Sequence, residues 1–505
     1  MPVIESGQPK SEVRAAGYEA LIARFEIDVI TNWHRSFVAA GSPRRIETPA
    51  GIIEEIYPLK YWPGDSLGNH LEFALKYDGT NLAILSSLFS IVPQAEVLAY
   101  IQSKPTGKYA RRLWFLYEFL TGSTLPLDDL NRGNYVDLLD PEQYYTVAPA
   151  RQIRRQRIND NLLGDSRFCP TIRRTDALRR FEKADLTERC EKLVTAYSPE
   201  VLKRALSYLY TKETKSSFQI EHIQPNSTRT ERFVALLQLA EKEDFCEKSA
   251  LIELQNRIVD PRFRETDYRT VQNYVGETVA WQREKVHFTC PKPEDVESLM
   301  GGLTAAHAKM EEGSVSPVVH AAAIAFGFVF LHPFDDGNGR IHRFLIHNIL
   351  ARRGFTPQGI MFPISASLLK HAAEYDASLE AFSQPLMTLI EYSLDEDGRM
   401  TVHNDTAGWY AYIDLTSQAE ALSRFIEYTI DTELVEELSF LARYDETKKS
   451  IQDIVDMPDR QIDLMIRFCL QNNGRLSSRK RESHFKSLSD EEVARIEQAI
   501  QSANR

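Results

Sequence analysis

The chain has 505 residues, a formal net charge of −12, and 43% hydrophobic and 26% charged residues. That length exceeds one ordinary core and predicts roughly two to four domains. The acidic balance excludes a protein that coats nucleic acid over its whole surface, and the apolar content excludes a disordered chain.

The N-terminal stretch MPVIESGQPKSEVRAAG has no basic segment followed by an apolar run, which predicts no signal peptide and a cytoplasmic protein. The five cysteines, Cys169, Cys190, Cys246, Cys290 and Cys469, are scattered and never form a CxxC pair, so they read as reduced thiols without metal-like partners. The first 150 residues read as a mixed module of unassigned function. In it, EFALKYDGTNLAILSSLF predicts helix, turn at Asp78-Gly79 and helix, and Arg111 to Gly122 predicts a helix closed by glycine. From residue 151 the spacing of apolar residues is almost wholly helical. We place a helical segment at 151–245, a central core at 246–395 and a C-terminal helical module at 396–505. Trp281 to Cys290 breaks the helical pattern and predicts a short hairpin or extended flap. After Glu396 a polar joint, DGRMTVHNDTAG, leads into a module with a helix-turn-helix outline near DIVDMPDRQIDLMIRFCLQNNGRLSSRKRESHF; a winged helix is among its candidate shapes. The tryptophans, Trp114 among them, read as core. Val318 to Leu331 is the most apolar run, shorter than the ~18 to 20 residues of a membrane helix, and it reads as a buried core helix.

Leu331 to Leu345, LHPFDDGNGRIHRFL, poses the functional question. His332 precedes Pro333, which pushes it out of the helical region and places it at the end of the apolar helix. Gly337 and Gly339 let the backbone approach a ligand and allow positive φ. A second helix follows, with Ile341, Phe344, Leu345 and Ile349 on its core side, Arg340, Arg343 and His347 on another face, and Gly354 as its stop. Arginines in the first turn oppose the macrodipole, so an anion belongs there; phosphate is the usual occupant of a helix N-terminus. Asp336 is a hard oxygen ligand suited to Mg²⁺, and His332 is a base at the loop mouth. These parts describe a nucleotide polyphosphate site with a base beside it. No GxxxxGK[ST] is present, His342 occupies the third glycine of a dinucleotide fingerprint, and the five-residue spacing of His342 and His347 does not suit zinc.

HPFDDGNGRIHR resembles the signature of the Fic (filamentation induced by cAMP) family, H-x-F-x-[DE]-G-N-G-R-x-x-R, and matches it at every fixed position. The resemblance extends over roughly Leu206 to Leu394, through YRTVQNYVG, VHFTCPKPEDVESLM and PISASLLKHAAEYDASLEAF. It implies a mainly α protein: a Fic-type helical core with a β-hairpin flap, between the N- and C-terminal modules. It implies transfer of AMP from ATP to a Tyr, Thr or Ser hydroxyl of a target protein. In that scheme His332 is the base, Asp336 holds Mg²⁺, and the backbone of Gly337, Asn338 and Gly339 forms the anion hole, with Asn338 oriented to the α-phosphate. Arg340 and Arg343 hold the β- and γ-phosphates, Phe334 anchors the loop, and Tyr375 lies near the adenine. The flap near Trp281 to Cys290 pairs with an extended target segment, and the protein itself is a second candidate target.

KSSFQIEH resembles the family's inhibitory helix, [ST]-x-x-x-E-[GN], as Ser217 and Glu221, with His222 in place of glycine or asparagine. The resemblance implies that Glu221 pairs with Arg343 and occupies the γ-phosphate site, or assists removal of AMP. Rival readings are transfer of UMP, phosphocholine or phosphate on the same site, and, from another class, a nucleotide-sensing regulator whose C-terminal module binds DNA. The basic runs RQIRRQRINDNLLGDSRF and TIRRTDALRRFEKAD read as ion-paired surface, and GRLSSRKRES as a basic turn or wing. His320, His342 and His347 read as structural or solvent-facing.

Overall fold

The structure, a computed structural model, describes residues 13–48, 51–280, 283–357 and 359–503. It is mainly α, 57% helical, with small sheets. The chain forms two compact units, each assembled from separated segments. The first comprises Met1–Lys183, Glu231–Phe355 and His371–Ser423, and the second Ala184–Thr230, Thr356–Lys370 and Arg424–Arg505. No single helix among the described residues is long and apolar enough to cross a membrane.

In the first unit, a four-stranded sheet opens the chain. His34–Ala39 lies between the antiparallel Arg14–Ala16 and the parallel Ile53–Pro58, and Arg44–Glu47 forms the far edge. Asp78, at the end of a π-helical turn, ties this sheet to the helices. Its buried carboxylate accepts from the Tyr18 amide at 3.1 Å and from the Ser36 hydroxyl, and contacts His34 Nδ1 at 3.2 Å. The helix-turn-helix around Asp78-Gly79 forms as expected, with Gly79 at φ 83°. So does the helix Lys108–Thr121, closed by Gly122 in the left-handed region.

Residues after 151 are less uniformly helical than their periodicity predicts. Arg151–Ile153 and Ile158–Asp160 form a short antiparallel pair. The polar joint after Glu396 lies in a small hairpin, Tyr392–Leu394 with Met400–Val402, because the turn at Asp397-Gly398 returns the chain on itself. The two basic runs of residues 151–168 and 171–185 are tied down. Arg155 bonds Glu118 and Asp129, Arg157 bonds three backbone carbonyls, and Arg173 and Arg174 pair with Asp414 and Glu182. Trp114 is core, whereas Trp33 and Trp62 are only half-buried at the edge of the sheet; Trp281 lies outside the described residues.

The functional scaffold of this unit is three successive helices, Pro293–Glu312, Pro317–Leu331 and Asn338–Arg352. The middle helix is apolar all round and accordingly buried on nearly every side. Asn348 fastens the third by donating to Ala240 O at 2.8 Å and Glu243 O at 2.7 Å.

Folding brings Cys246 within 4.8 Å of Asp244 and His307, a grouping invisible in the sequence spacing. The hydrogen-bond order opposes a metal there. Arg353 donates to His320 Nδ1 at 2.9 Å, so His320 Nε2 carries the hydrogen and donates to His307 Nδ1 at 3.0 Å. His307 Nε2 then donates to Asp244, and both ring nitrogens are spent. His320 is therefore structural, and burial together with the neighbouring cations holds it neutral, down to about 2.

In the second unit, Pro199–Ile220 is a 22-residue helix capped by Ser198, whose hydroxyl accepts from the Val201 amide. Its buried Glu213 accepts from the Ser365 amide at 2.8 Å, putting a carboxylate at the N-terminus of Ile364–Lys370, where the dipole favours it. Lys212 and Lys370 flank the buried Glu433 at 2.7 and 2.6 Å. The C-terminal helices Val435–Ile454, Asp459–Leu470, Ser478–His484 and Asp490–Ala503 share a core that includes Ile451, Ile462, Met465, Phe485, Ile496 and Ile500. The stretch expected as a turn or wing is instead the short helix Ser478–His484, capped by Ser477, and no strand occurs among the described residues beyond Val402.

Candidate active site

The site is built where the apolar helix ends and the motif helix begins. His332 caps the apolar helix in the left-handed region, φ 49° and ψ 57°, unusual for a residue with a side chain and different from the extended conformation its proline neighbour favours. Buried Arg269 over-determines this conformation. Its amide donates to Pro333 O and its Nε to His332 O, each at 2.8 Å, while Nη2 donates to Pro291 O at 2.6 Å. Strain of this kind persists only where surrounding bonds hold it. The ring is oriented as well. Nδ1 donates to Val329 O at 3.1 Å, which leaves Nε2 as the basic nitrogen. Burial, reinforced by the Arg269 charge, lowers the imidazole to about 4 against the opposing pull of Val329. His332 is a neutral base at neutral pH.

Phe334 is fully buried and packs on Tyr268 and Phe328, as its anchor role requires. Asn338 does something other than reach for phosphate. Its Oδ1 accepts from the Phe334 amide at 3.1 Å and its Nδ2 donates to Phe334 O at 2.7 Å, so the side chain clasps the loop. Any contact to an anion from Asn338 is through its backbone amide, which as a first-turn N–H has no partner within the helix. Gly337 is the one motif glycine with positive φ, 93°, and a Cβ there would meet Val259 Cγ1 at 2.9 Å. Gly339, expected to need the same freedom, is an ordinary helical residue in the first turn.

The two arginines differ from the expectation in a second way. Arg340 lies in the first turn, but Arg343 falls in the second. Both are buried, at 0% and 2% exposure, as is nearly all of the motif helix, so no solvent-facing side exists for Arg340, Arg343 and His347. Arg340 Nη2 donates to Asp336 Oδ1 at 2.7 Å. In this structure Arg340 is therefore a strut of the loop rather than an open phosphate clamp. Asp336 is half-exposed, and its Oδ2 has no partner among the described residues, which fits a hard divalent cation.

Tyr375 is buried on the helix Ala372–Met387, its ring parallel to His342 at 6.2 Å. His342 is structural. Its Nδ1 donates to Ala325 O at 2.8 Å, and burial lowers it to about 3.

Sequence reading missed Glu265. Its Oε1 accepts from the Asp335 amide at 3.0 Å and from Gln255 Nε2 at 2.9 Å, so it holds the loop from outside the motif. Burial and the charges of Asp335 and Asp336 push it up to about 7 despite the amides. The one sequence signal is a pair of carboxylates, Glu265 and Asp267, between the arginines of PRFRETDYR.

The flap is a hairpin of Tyr274–Ala280 and Arg283–Thr289, antiparallel with two register irregularities. It begins earlier than predicted because the first strand lies within the stretch expected only to lead into it. Phe288 anchors it against Phe330, Phe382 and Tyr410.

The proposed brake belongs to the second unit. Ser217 is buried in the last turn of Pro199–Ile220, and Glu221 is the C-cap. His222 stands where the resemblance calls for glycine or asparagine, and the reason for that preference is visible: φ is 57°. The His222 amide donates to Gln219 O and the Ile223 amide to Phe218 O, a Schellman closure with its left-handed residue.

This helix–loop–helix defines the class. Residues 245–350 match the Fic/DOC family, and the chain carries a Fic domain there. Among curated relatives, the chain is 32% identical over 122 residues to a protein adenylyltransferase Fic of Culex quinquefasciatus, covering 24% of this chain and 22% of the relative. It is 30% identical over 151 residues to protein adenylyltransferase fic-1 of Caenorhabditis elegans, covering 29% and 26%. The chain thus spans about a quarter or less of the curated relatives it matches. Among solved structures, a Fic family protein from Desulfovibrio desulfuricans G20 aligns at 17% identity and TM-score 0.39, covering 61% of this chain and 86% of that one. Residues 134–508 of C. elegans Fic-1 align at 17% and 0.35, covering 73% and 90%.

Proposed function

We propose that the chain is a protein adenylyltransferase that moves AMP from ATP to a hydroxyl of a target protein. The observation that carries this reading is His332, strained, oriented through Nδ1 and neutral, beside the first-turn amides of the motif helix. Nε2 takes the proton of the target hydroxyl, whose oxygen attacks the α-phosphorus. The bond from that phosphorus to its bridging oxygen breaks, and pyrophosphate leaves. Amides at the helix start receive the non-bridging oxygens, and positioning together with fixed dipoles supplies most of the acceleration. Asp336 is the residue suited to hold Mg²⁺, which would offset phosphate charge. For Arg340 to hold the terminal phosphates, its pair with Asp336 must exchange for a triphosphate and cation. The names of the relatives favour AMP over other transferred groups.

The flap supports recognition of an extended segment of the target, because among the described residues each of its strands pairs only with the other. Glu221, whose backbone the Schellman closure fixes, is proposed as the brake on transfer.

The test is label transfer from α-³²P-ATP with Mg²⁺, onto the protein itself and a cell lysate. Label that rises in Glu221→Gly and vanishes when His332→Ala is added supports transfer, base and brake together. No label in any form, with nucleotide binding intact, would sink the AMP reading.

A further inference from the structure

The C-terminal module holds a feature that adenylyl transfer does not use. Between Met465 and Leu488 the chain carries six lysines or arginines, Arg467, Arg475, Arg479, Lys480, Arg481 and Lys486, against one carboxylate, Glu482. This lies in a chain of net charge −12, so the local excess is opposite in sign to the whole.

The structure shows how the cations are displayed. The helix Asp459–Leu470 ends at a turn with Asn473 at φ 52° and Gly474 at φ 78°, and Ser478–His484 follows. The turn is fixed by the last helix: Glu497 accepts from the Leu476 amide at 2.7 Å, and Gln501 donates to Gly474 O at 3.2 Å. Phe485 seats the short helix in the core. Arg479, Glu482 and Ser483, at spacings of three and four, lie together on its exposed side, with Arg475 exposed just before the helix and Lys486 exposed just after it.

Arg475, Arg479 and Lys486 have no carboxylate partner among the described residues. Arg481 does, in Asp490, and Lys480 lies 4.2 Å over the Phe468 ring, which pre-orders it beside the row. Neighbouring acids are engaged elsewhere: Glu492 accepts from Ser489 and Glu497 from Leu476. The two basic runs of residues 151–168 and 171–185 are the internal contrast, since most of their arginines are spent on carboxylates and carbonyls.

We infer that the helix-turn-helix of Asp459–Leu470 and Ser478–His484 is a docking surface for duplex DNA, with Arg475, Arg479, Lys480 and Lys486 on backbone phosphates. Two helices joined by the fixed segment 471–477, the second flanked by exposed cations, offer a phosphate backbone a row of donors. Phosphate contacts supply affinity and orientation without demanding a sequence.

The experiment is fluorescence anisotropy of the full chain with a labelled duplex of about 20 base pairs. With four phosphate contacts, each worth about 0.9 in the logarithmic salt slope, affinity falls about 150-fold between 50 and 200 mM salt. In R475A/R479A/K486A the slope drops by about 3 and binding at low salt weakens accordingly. R151A/R154A, two exposed arginines of the first run, leaves both unchanged. An unchanged circular dichroism spectrum and melting temperature of the triple variant show that it folds. No binding at 50 mM salt, equal loss in R151A/R154A, or tighter binding to an acidic peptide or anionic vesicles than to the duplex would each overturn the inference.

Discussion

Two segments of this chain read almost alike: GNGRIHR at the start of the motif helix and GRLSSRKR at the start of the C-terminal short helix. Each sets a glycine turn before a helix that carries arginines. In the first, Arg340 and Arg343 are 0% and 2% exposed; in the second, Arg475 and Arg479 face solvent. The difference lies in what surrounds them. The motif helix is buried on nearly every side beside an apolar helix, whereas the short helix is tied to its core mainly through Phe485 and contacts to Phe468. Buried cations act at fixed geometry in a low dielectric, on one ligand in one pose. Exposed cations are screened and serve affinity more than chemistry.

The sharpest way to break this comparison is at the base. His332→Ala in the Glu221→Gly background should lower label transfer by about 10²- to 10⁴-fold while leaving DNA binding unchanged. The two glycine turns offer a matched pair. Gly337→Ala and Gly474→Ala both place a side chain at positive φ, and the new Cβ would meet Val259 Cγ1 at 2.9 Å and Gln501 Cγ at 2.6 Å. Each should cost about 1–2 kcal/mol locally, visible as a lowered melting temperature. Gly337→Ala should weaken ATP binding alone and Gly474→Ala DNA binding alone, by calorimetry and anisotropy; loss of both in either variant would show the segments to be less independent than their packing suggests.

Salt provides a milder test. Raising it from 50 to 200 mM should change transfer by less than about 3-fold, because buried pairs are poorly screened, against the large loss expected for DNA. The pH dependence follows from His332. A base lowered to about 4 stays neutral down to that pH, so the acid limb of kcat/KM should lie well below the 6.5 of an ordinary histidine and activity fall as pH drops through about 4. The smallest effect concerns Glu265. Its pKa is raised, so its stabilising contribution is present at low pH and lost as pH rises through about 7. Glu265→Gln should therefore raise the melting temperature slightly at pH 8, on the order of 1–2 °C, and not at pH 5.

Much of the site was legible because the chemistry is contiguous. His332, Phe334, Asp336 and Gly337 stand within six residues, and the end of the apolar helix, the helix stop at Gly354 and the turns at Gly79 and Gly122 follow from local backbone preferences. Arg340, Asn338 and Glu265 were not legible in the same way. Which side chains point inward depends on what packs around the helix, and Arg340 faces Asp336 only because the whole motif helix is buried.

The sequence by itself determined the mainly helical class, the loop that joins the two motif helices and the histidine that stands at its start, since these rest on interactions between near neighbours in the chain. The tertiary structure alone decided the hold of Arg269 and Glu265 on the loop, and the engagement of one set of basic residues while another stays open. Those outcomes depend on groups from 24 to 241 residues apart meeting at hydrogen-bond distance, and no local pattern encodes such meetings.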